Sequence, residues 1–408
     1  MSSLSKTKYI VLVPDGMADM PVAELDGRSP LDVAETPVMD RMASAGAIGL
    51  ARTVPEGLDP GSDVANLAIM GYSAKEVYTG RAPLEAASMG IRLGEHDVAF
   101  RLNLVTLDSN YTVMADHSAD HITSDEAEEL IAAIEPDAES LGMSVIPGVS
   151  YRNLLLWKKG PVGCVTHAPH DFPGDEIYRR LPTGEGASVL LRMIVKSWKL
   201  FENHPVNRRR IERCQGPANS VWPWGQGKAP RMKTVQERFG ITGSVVAAVD
   251  LIKGIGIYAG LEPIAVPGAT GYLDTNYAGK VSAALEALRT KDFVFLHVEA
   301  PDEASHSGQS DLKQKAIQDF DAKVAGPILD GLDAFPRWRL LLMPDHHTPV
   351  SVRTHTADPV PFIMLDSEEW RNGDKQVSRP FTEETAGAAD QQVRDAVTLI
   401  EDLLRASG

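Results

Sequence analysis

The chain has 408 residues, a formal charge of −16 and two cysteines. That length buries a large core and suggests two or three domains. The acidic balance excludes a general nucleic-acid binder, which needs a basic face, and obliges any anionic ligand to find a local basic pocket. Cys164 and Cys214 show neither CxxC nor zinc-knuckle spacing, a usage that suits a reducing cytoplasm. No signal peptide is read in the first residues and no apolar run approaches a membrane span, so a cytoplasmic protein with no membrane partner is expected.

In chain order, residues 8–13 form an apolar run with the pattern of a strand covered on both faces, and it breaks into Pro14-Asp15-Gly16. A helix follows, with Thr36 at its N-cap, Pro37 in its first position, Val38, Met42 and Ala45 on one face, and Gly46 at its end. Pro and Gly then lead sharply into a second helix near Ser62, where free backbone N–H groups and the helix dipole favour an anion. From residue 97 the texture changes. Residues 98–107 alternate like a half-exposed strand, 111–115 reads as its hairpin partner, 124–134 as a helix, and 144–147 and 153–158 as strands. This predicts a smaller α+β domain, residues 97–185, inserted into a core of 1–96 and 186–408. Residues 187–203 have the period of an amphipathic helix, and the polar stretches 203–210 and 218–230 read as a long connection. Strands at 243–249, 293–298 and 338–343 then alternate with helices at 250–259, 277–289 and 311–324, and 394–404 is a closing helix. The alternation predicts an α/β fold with a mainly parallel sheet and helices on both faces.

Three of these strands end in the same chemistry. Residues 8–13 run into Asp15. Residues 293–298 run into Glu299-Ala-Pro-Asp302, with His306 four residues on, and 338–343 run into Pro344-Asp345-His346-His347. The D-x-x-x-H spacing puts Asp302 and His306 on one side of a helical turn. Asp345 and His346, being adjacent, point different ways and suit two different ions. With Ser62 and with His355, nine residues further on, they make a mixed carboxylate and imidazole set that suits manganese, zinc, cobalt or magnesium. A lone Asp after a strand is usually a turn residue or a cap. Three such ends with one serine at a helix start point instead to phosphoryl chemistry, with a metal-activated hydroxyl between ions roughly 3.5–4 Å apart.

The stretches Val13-Pro-Asp-Gly16, Pro60-Gly-Ser-Asp-Val-Ala-Asn-Leu67, Gly80-Arg-Ala-Pro-Leu-Glu-Ala86, Ala300-Pro-Asp-Glu-Ala-Ser-His306, Pro344-Asp-His346 and Arg353-Thr-His-Thr-Ala-Asp358 resemble cofactor-independent phosphoglycerate mutases of the archaeal type, a branch of the alkaline phosphatase superfamily. The resemblance spans nearly the whole chain and implies an alkaline-phosphatase-like core. It implies that Ser62 is the nucleophile that becomes phosphorylated. It implies one metal on Asp302, His306 and His355 and a second on Asp15, Asp345, His346 and Ser62, with manganese first among the candidate ions. The implied reaction interconverts 3-phosphoglycerate and 2-phosphoglycerate, with the inserted domain as lid. One departure is His347, where the family often has Pro, so His347 competes with His346 as the ligand.

A carboxylate and a phosphate call for Arg, Lys and His donors. The candidates are His117, Arg152, Arg208, Arg209 and, in the same triplet, Arg210, together with Lys253. Arg81 and Trp224 read as structural loop residues. Other readings stay open: a homoserine-kinase-like phosphotransferase, for which neither a P-loop nor a kinase-type glycine loop is present; a metal-dependent phosphatase; and a non-catalytic protein that kept the fold.

Overall fold

Continuous apolar strands have to be covered on both faces, and here they form the middle of a sheet. The structure, a computed structural model, describes residues 7–373, 379–389 and 392–405. Lys8–Pro14 lies between Phe293–Val298 and Trp338–Leu342 and is parallel to both. Gly243–Val246 and the short Glu262–Pro263 extend the sheet on one side, also parallel. On the other side Val360–Asp366 runs antiparallel to Trp338–Leu342 and to Ala47–Arg52, and Arg394–Asp395 forms the edge. Ile10, Leu12, Val294, Leu296, Leu340 and Leu342 join one core cluster with residues of the helices Pro37–Ala45, Tyr277–Thr290 and Gly326–Leu332. Their neighbours Val11, Phe295 and Leu341 are equally buried outside that cluster. The mainly parallel α/β sheet is therefore as expected. The strands Ala47–Arg52 and Val360–Asp366 are additions, because Gly49 in one and Pro361 in the other blur the apolar pattern.

The helix predicted at 311–324 is longer. Ser310–Phe320 continues through a π-helical turn, Asp321–Ala325, into Gly326–Leu332. Asp321 then accepts from the N–H groups of Val38 (3.2 Å) and Met39 (2.7 Å). Thr36 holds the N-cap position of Pro37–Ala45, but its side chain makes no cap bond. A distant carboxylate does that work, which local sequence does not reveal. Among the described residues, no helix is long and apolar enough to cross a membrane.

The chain divides into two compact units, Met1–Tyr78 with Arg231–Gly408, and Thr79–Pro230. The second is larger than the 97–185 expected. Its central strand, Val98–Leu107, pairs antiparallel with Arg152–Trp157 and with Ser220–Gly227. Ser220–Gly227 and the helix Pro205–Glu212 replace the expected connection, and Ala187–Glu202 packs against that strand. Pro223 and Gly225 mask the strand in the sequence. Val98–Leu107 is buried at every position except Thr106, not half-exposed. Val98, Phe100, Leu102 and Leu104 face one apolar cluster. Its other face carries Ala99, Arg101, Asn103 and Val105, also buried. The alternation marks two buried faces of different chemistry.

One buried tie fixes the loops that follow the central strands. Lys313 is fully buried, and its ammonium donates to the carbonyls of Ala18 and Thr348 (3.0 Å each) and to Asp19 Oδ2 (2.8 Å). Lys313→Met leaves the Asp19 carboxylate buried without its counter-charge. Equilibrium chemical unfolding should show a loss of about 3–5 kcal/mol; a loss below about 1 kcal/mol would mean that the tie carries no stability.

Candidate active site

Strand register builds the site. Val13 pairs with His297, Pro14 with Val298 and Leu12 with Leu342, so the three carboxyl ends lie level. The Asp15 N–H donates to the Val298 carbonyl (2.9 Å) and the Met343 N–H to the Leu12 carbonyl (3.1 Å). The short helix Ala300–His306 places Asp302 and His306 one turn apart, as the spacing predicts. Gly16, at φ +62°, turns the first loop sharply, and its N–H donates to Asp345 Oδ1 (3.0 Å). A Cβ there would fall 2.5 Å from Asp302 Oδ1, so only glycine lets the loops meet.

Two sets of ligand atoms lie close enough to hold an ion: Asp15, Asp345 and His346, and Asp302, His346 and His355. His346 belongs to both. His306 Nε2 lies beside the second set, 3.1 Å from Asp302 Oδ2 and 3.2 Å from His355 Nε2. Ser62 opens the helix Ser62–Ile69 behind an extended Gly61, and its Oγ is 3.2 Å from His346 Nε2. Asn66, one turn along, donates to the Ser62 carbonyl and to Asp345 Oδ2, both at 2.9 Å. It locks the helix start to the strand end, a role that its place in an apolar helix does not announce. His347 does not compete with His346. Its Nε2 faces the Pro359 carbonyl at 3.0 Å, because adjacent residues after a strand turn to opposite sides.

The electrostatics are those of an acidic cage. Burial, then the charges of Asp345, Asp302 and Glu299, push Asp15 well above the ordinary carboxylate range. Burial would also raise Asp345 and Asp302, but neighbouring imidazoles and hydrogen bonds outweigh it and hold both below that range. Asp15 Oδ1 is buried and has no hydrogen-bond partner. An orphaned carboxylate oxygen beside a second carboxylate and an imidazole fits a divalent cation.

The second unit carries a cluster of arginine and histidine side chains of its own. Arg101 lies on the polar face of the central strand, its guanidinium 4.3 Å from the Trp224 ring centroid and its Nε 3.0 Å from Glu85. Glu85 also pairs with Arg81 (3.2 Å). His170 contacts Trp224 and His117, and His117 contacts Tyr151, whose ring lies under Arg152. His117 and Arg152 therefore stand together. Arg208 instead donates to the Asn203 carbonyl, Arg209 pairs with Glu129, and Arg210 is buried against Glu126. These three serve their own helix and its neighbours. Lys253, in the first unit, pairs with Asp250 at 3.2 Å.

Residues 43–207 match the family model described as 2,3-bisphosphoglycerate-independent phosphoglycerate mutase. A protein of Geobacter sulfurreducens, named a probable 2,3-bisphosphoglycerate-independent phosphoglycerate mutase, is 52% identical over 97% of this chain and 99% of its own length. The chain belongs to this family. A 2,3-bisphosphoglycerate-independent phosphoglycerate mutase of Methanosarcina acetivorans is likewise 52% identical, over 88% of this chain and 91% of its own. A solved structure from Pyrococcus horikoshii superposes with a TM-score of 0.81 at 28% identity, covering 98% of this chain and 97% of that one.

For this phosphoglycerate mutase relative, the residues read from the strand ends, namely Asp15, Asp302, His306, Asp345 and His346, stand in one cluster with Ser62 and His355. Asn66, Arg101 and His170, which stand beside these groups, are not singled out by any sequence pattern. Neither Arg81 nor Trp224 is a loop residue: Arg81 begins a helix and Trp224 lies in a strand, hydrogen-bonded to Asn103. The sequence signal for Arg101 is a charged residue inside a largely apolar strand.

The hydrogen bond to Asp302 lifts His306 to about 9, against the effect of burial. Only the neutral ring binds a metal, so protons compete for this ligand up to that pH. Manganese titrations of metal-stripped protein should give an affinity that rises from about pH 7 to about pH 9 and then levels, and His306→Ala should flatten that upper segment. An affinity that is flat across this window in the unmutated chain would refute the assignment.

Proposed function

We propose that the chain carries out the reaction of its family, interconverting 3-phosphoglycerate and 2-phosphoglycerate, by passing the phosphoryl group through Ser62 beside two divalent metal ions. It is then an isomerase. The observation that carries this reading is the Ser62 hydroxyl at a helix start, 3.2 Å from Nε2 of His346, the residue shared by two ligand sets. Asp302, His306 and His355 would hold one ion, and Asp15, Asp345, His346 and Ser62 the other. Manganese is the first choice, with magnesium, cobalt and zinc behind it. Divalent ions bound there lower the pKa of the Ser62 hydroxyl and offset charge on the phosphoryl oxygens.

Ser62 Oγ attacks the phosphorus of 3-phosphoglycerate. The bond from phosphorus to the C3 oxygen breaks as the Oγ–P bond forms, and the proton given up by the Ser62 hydroxyl is made good on the C3 oxygen of glycerate. Glycerate then turns, its C2 oxygen attacks the phosphoserine as the Oγ–P bond breaks, and the proton given up by the C2 hydroxyl restores the Ser62 hydroxyl. The N-terminal N–H groups of the Ser62–Ile69 helix favour the negative phosphoryl group. Water has to be kept from the phosphoserine, since hydrolysis would turn the mutase into a phosphatase.

A chain of charge −16 needs local cations to hold an anionic substrate. The guanidinium groups of Arg81, Arg101 and Arg152 are assigned the substrate's acidic groups, with the imidazoles of His117 and His170 beside them as hydrogen-bond donors. Lys253 is the first unit's candidate for the phosphate: its charge and that of Asp15 both act on the buried Lys280. Arg208 and Arg209 are left out of the binding set, because both are occupied on their own surface. The unpaired Cys164 and Cys214 suit a cytoplasmic setting.

The test is an assay of metal-stripped protein reloaded with manganese, given 3-phosphoglycerate without 2,3-bisphosphoglycerate, with 2-phosphoglycerate read through enolase. Metal-dependent 2-phosphoglycerate is expected, and Ser62→Ala should cut turnover by at least about 1,000-fold. Full turnover in Ser62→Ala would remove the nucleophile, and release of free phosphate would make the chain a phosphatase. In the same assay Arg152→Ala, on an exposed side chain, should raise KM about 10-fold or more while leaving the fold intact. An unchanged KM would take Arg152 out of the binding set.

A further inference from the structure

Thr348 is fully buried, and its hydroxyl is used twice. Oγ1 lies 2.6 Å from Asp302 Oδ1 and 3.1 Å from His346 Nδ1. A hydroxyl has one hydrogen. An ionised carboxylate only accepts, so that hydrogen goes to Asp302. What Thr348 turns to His346 is a lone pair, and the contact is attractive only if Nδ1 carries a proton. A neutral imidazole has a single N–H, so Nε2 is left bare. Nε2 is the nitrogen that lies 3.2 Å from Ser62 Oγ, 3.4 Å from Asp345 Oδ2 and 3.6 Å from Asp15 Oδ1.

The Thr348 backbone is anchored on both sides. The Thr348 N–H donates to the Ala18 carbonyl (3.1 Å), and Lys313 Nζ donates to the Thr348 carbonyl (3.0 Å). Gly16 closes the other side: a Cβ on it would lie 2.7 Å from Thr348 Oγ1. We propose that Thr348 is a positioning residue that fixes His346 as the Nδ1–H tautomer, keeps Nε2 as the ligand atom, and ties the Asp302 ligand set to the Asp15 set through one hydrogen-bonded chain. Its consequence for metal binding rests on the metal-centre reading above. Its placement of the proton does not.

The test uses the full metal-free chain labelled with ¹⁵N at histidine, with His346→Ala to assign the resonance. Long-range proton–nitrogen spectra should show His346 protonated at Nδ1 in the unmutated chain and in Thr348→Ser. Thr348→Val should lose that preference. In manganese titrations Thr348→Val should bind about 10- to 100-fold more weakly, and Thr348→Ser within about threefold of the unmutated chain. A proton on Nε2 in the unmutated chain overturns the proposal. So does Thr348→Val with unchanged tautomer and affinity, or Thr348→Ser that loses as much as Thr348→Val, since the hydroxyl would then be irrelevant. If Thr348→Val does not fold, the unmutated and Thr348→Ser spectra still decide. A chain that binds no manganese at all refutes the metal-centre reading, and the tautomer spectra then judge Thr348 separately.

Discussion

Three carboxylates buried within a few ångströms of one another are the constraint on which the first unit depends. Asp15, Asp302 and Asp345 are each at most 5% exposed. Burial penalises every one of them, and their mutual repulsion adds to the cost. The fold meets this with geometry, by ending three parallel strands level so that the carboxylates face imidazoles as well as each other. Asp302 and Asp345 are held in the ionised form by His306, His355 and His346, while Asp15 absorbs the excess negative charge by rising well above the ordinary range. A slip of one residue in any of these strands would turn its ligand to the opposite face and dismantle the cage.

The surroundings of the cage keep the loops from relaxing apart. Gly16 permits the close approach, Asn66 ties the Ser62 helix to Asp345, and Thr348 joins His346 to Asp302. Behind them Lys313 gathers Ala18, Asp19 and Thr348, and Glu383 accepts from the Asp19 N–H and the Ser29 hydroxyl. Together they set where the Ser62 hydroxyl, the His346 imidazole and the carboxylate oxygens stand relative to one another. On the reading proposed above, such positioning would be most of the catalysis.

The second unit faces a related problem, that of burying a cation. The central strand Val98–Leu107 buries an apolar face in one cluster and carries Arg101 and Asn103 on the other. Stacking against Trp224 and pairing with Glu85 offset the cost of burying the Arg101 guanidinium and hold it in one place.

The sequence by itself determined the α/β class, the three strand ends that carry the candidate ligands and the helix that begins at Ser62. Each of these is a local pattern: an apolar run, a break at Pro or Gly, and a polar residue at fixed spacing. It also carried the family, because the motifs that hold the ligands lie within short stretches. What it did not determine came from pairing over distance. Ser220–Gly227 is a strand because Val98–Leu107 lies beside it, although Pro223 and Gly225 argue locally for a loop. Asp321 caps a helix 282 residues away from it in sequence. The choice of His346 over His347, the bridging by Thr348 and Asn66, and the gathering of Arg101 with His117 and Arg152 were likewise decided in three dimensions. Side-chain direction and burial depend on which strands and helices become neighbours, and no short window of sequence contains that information.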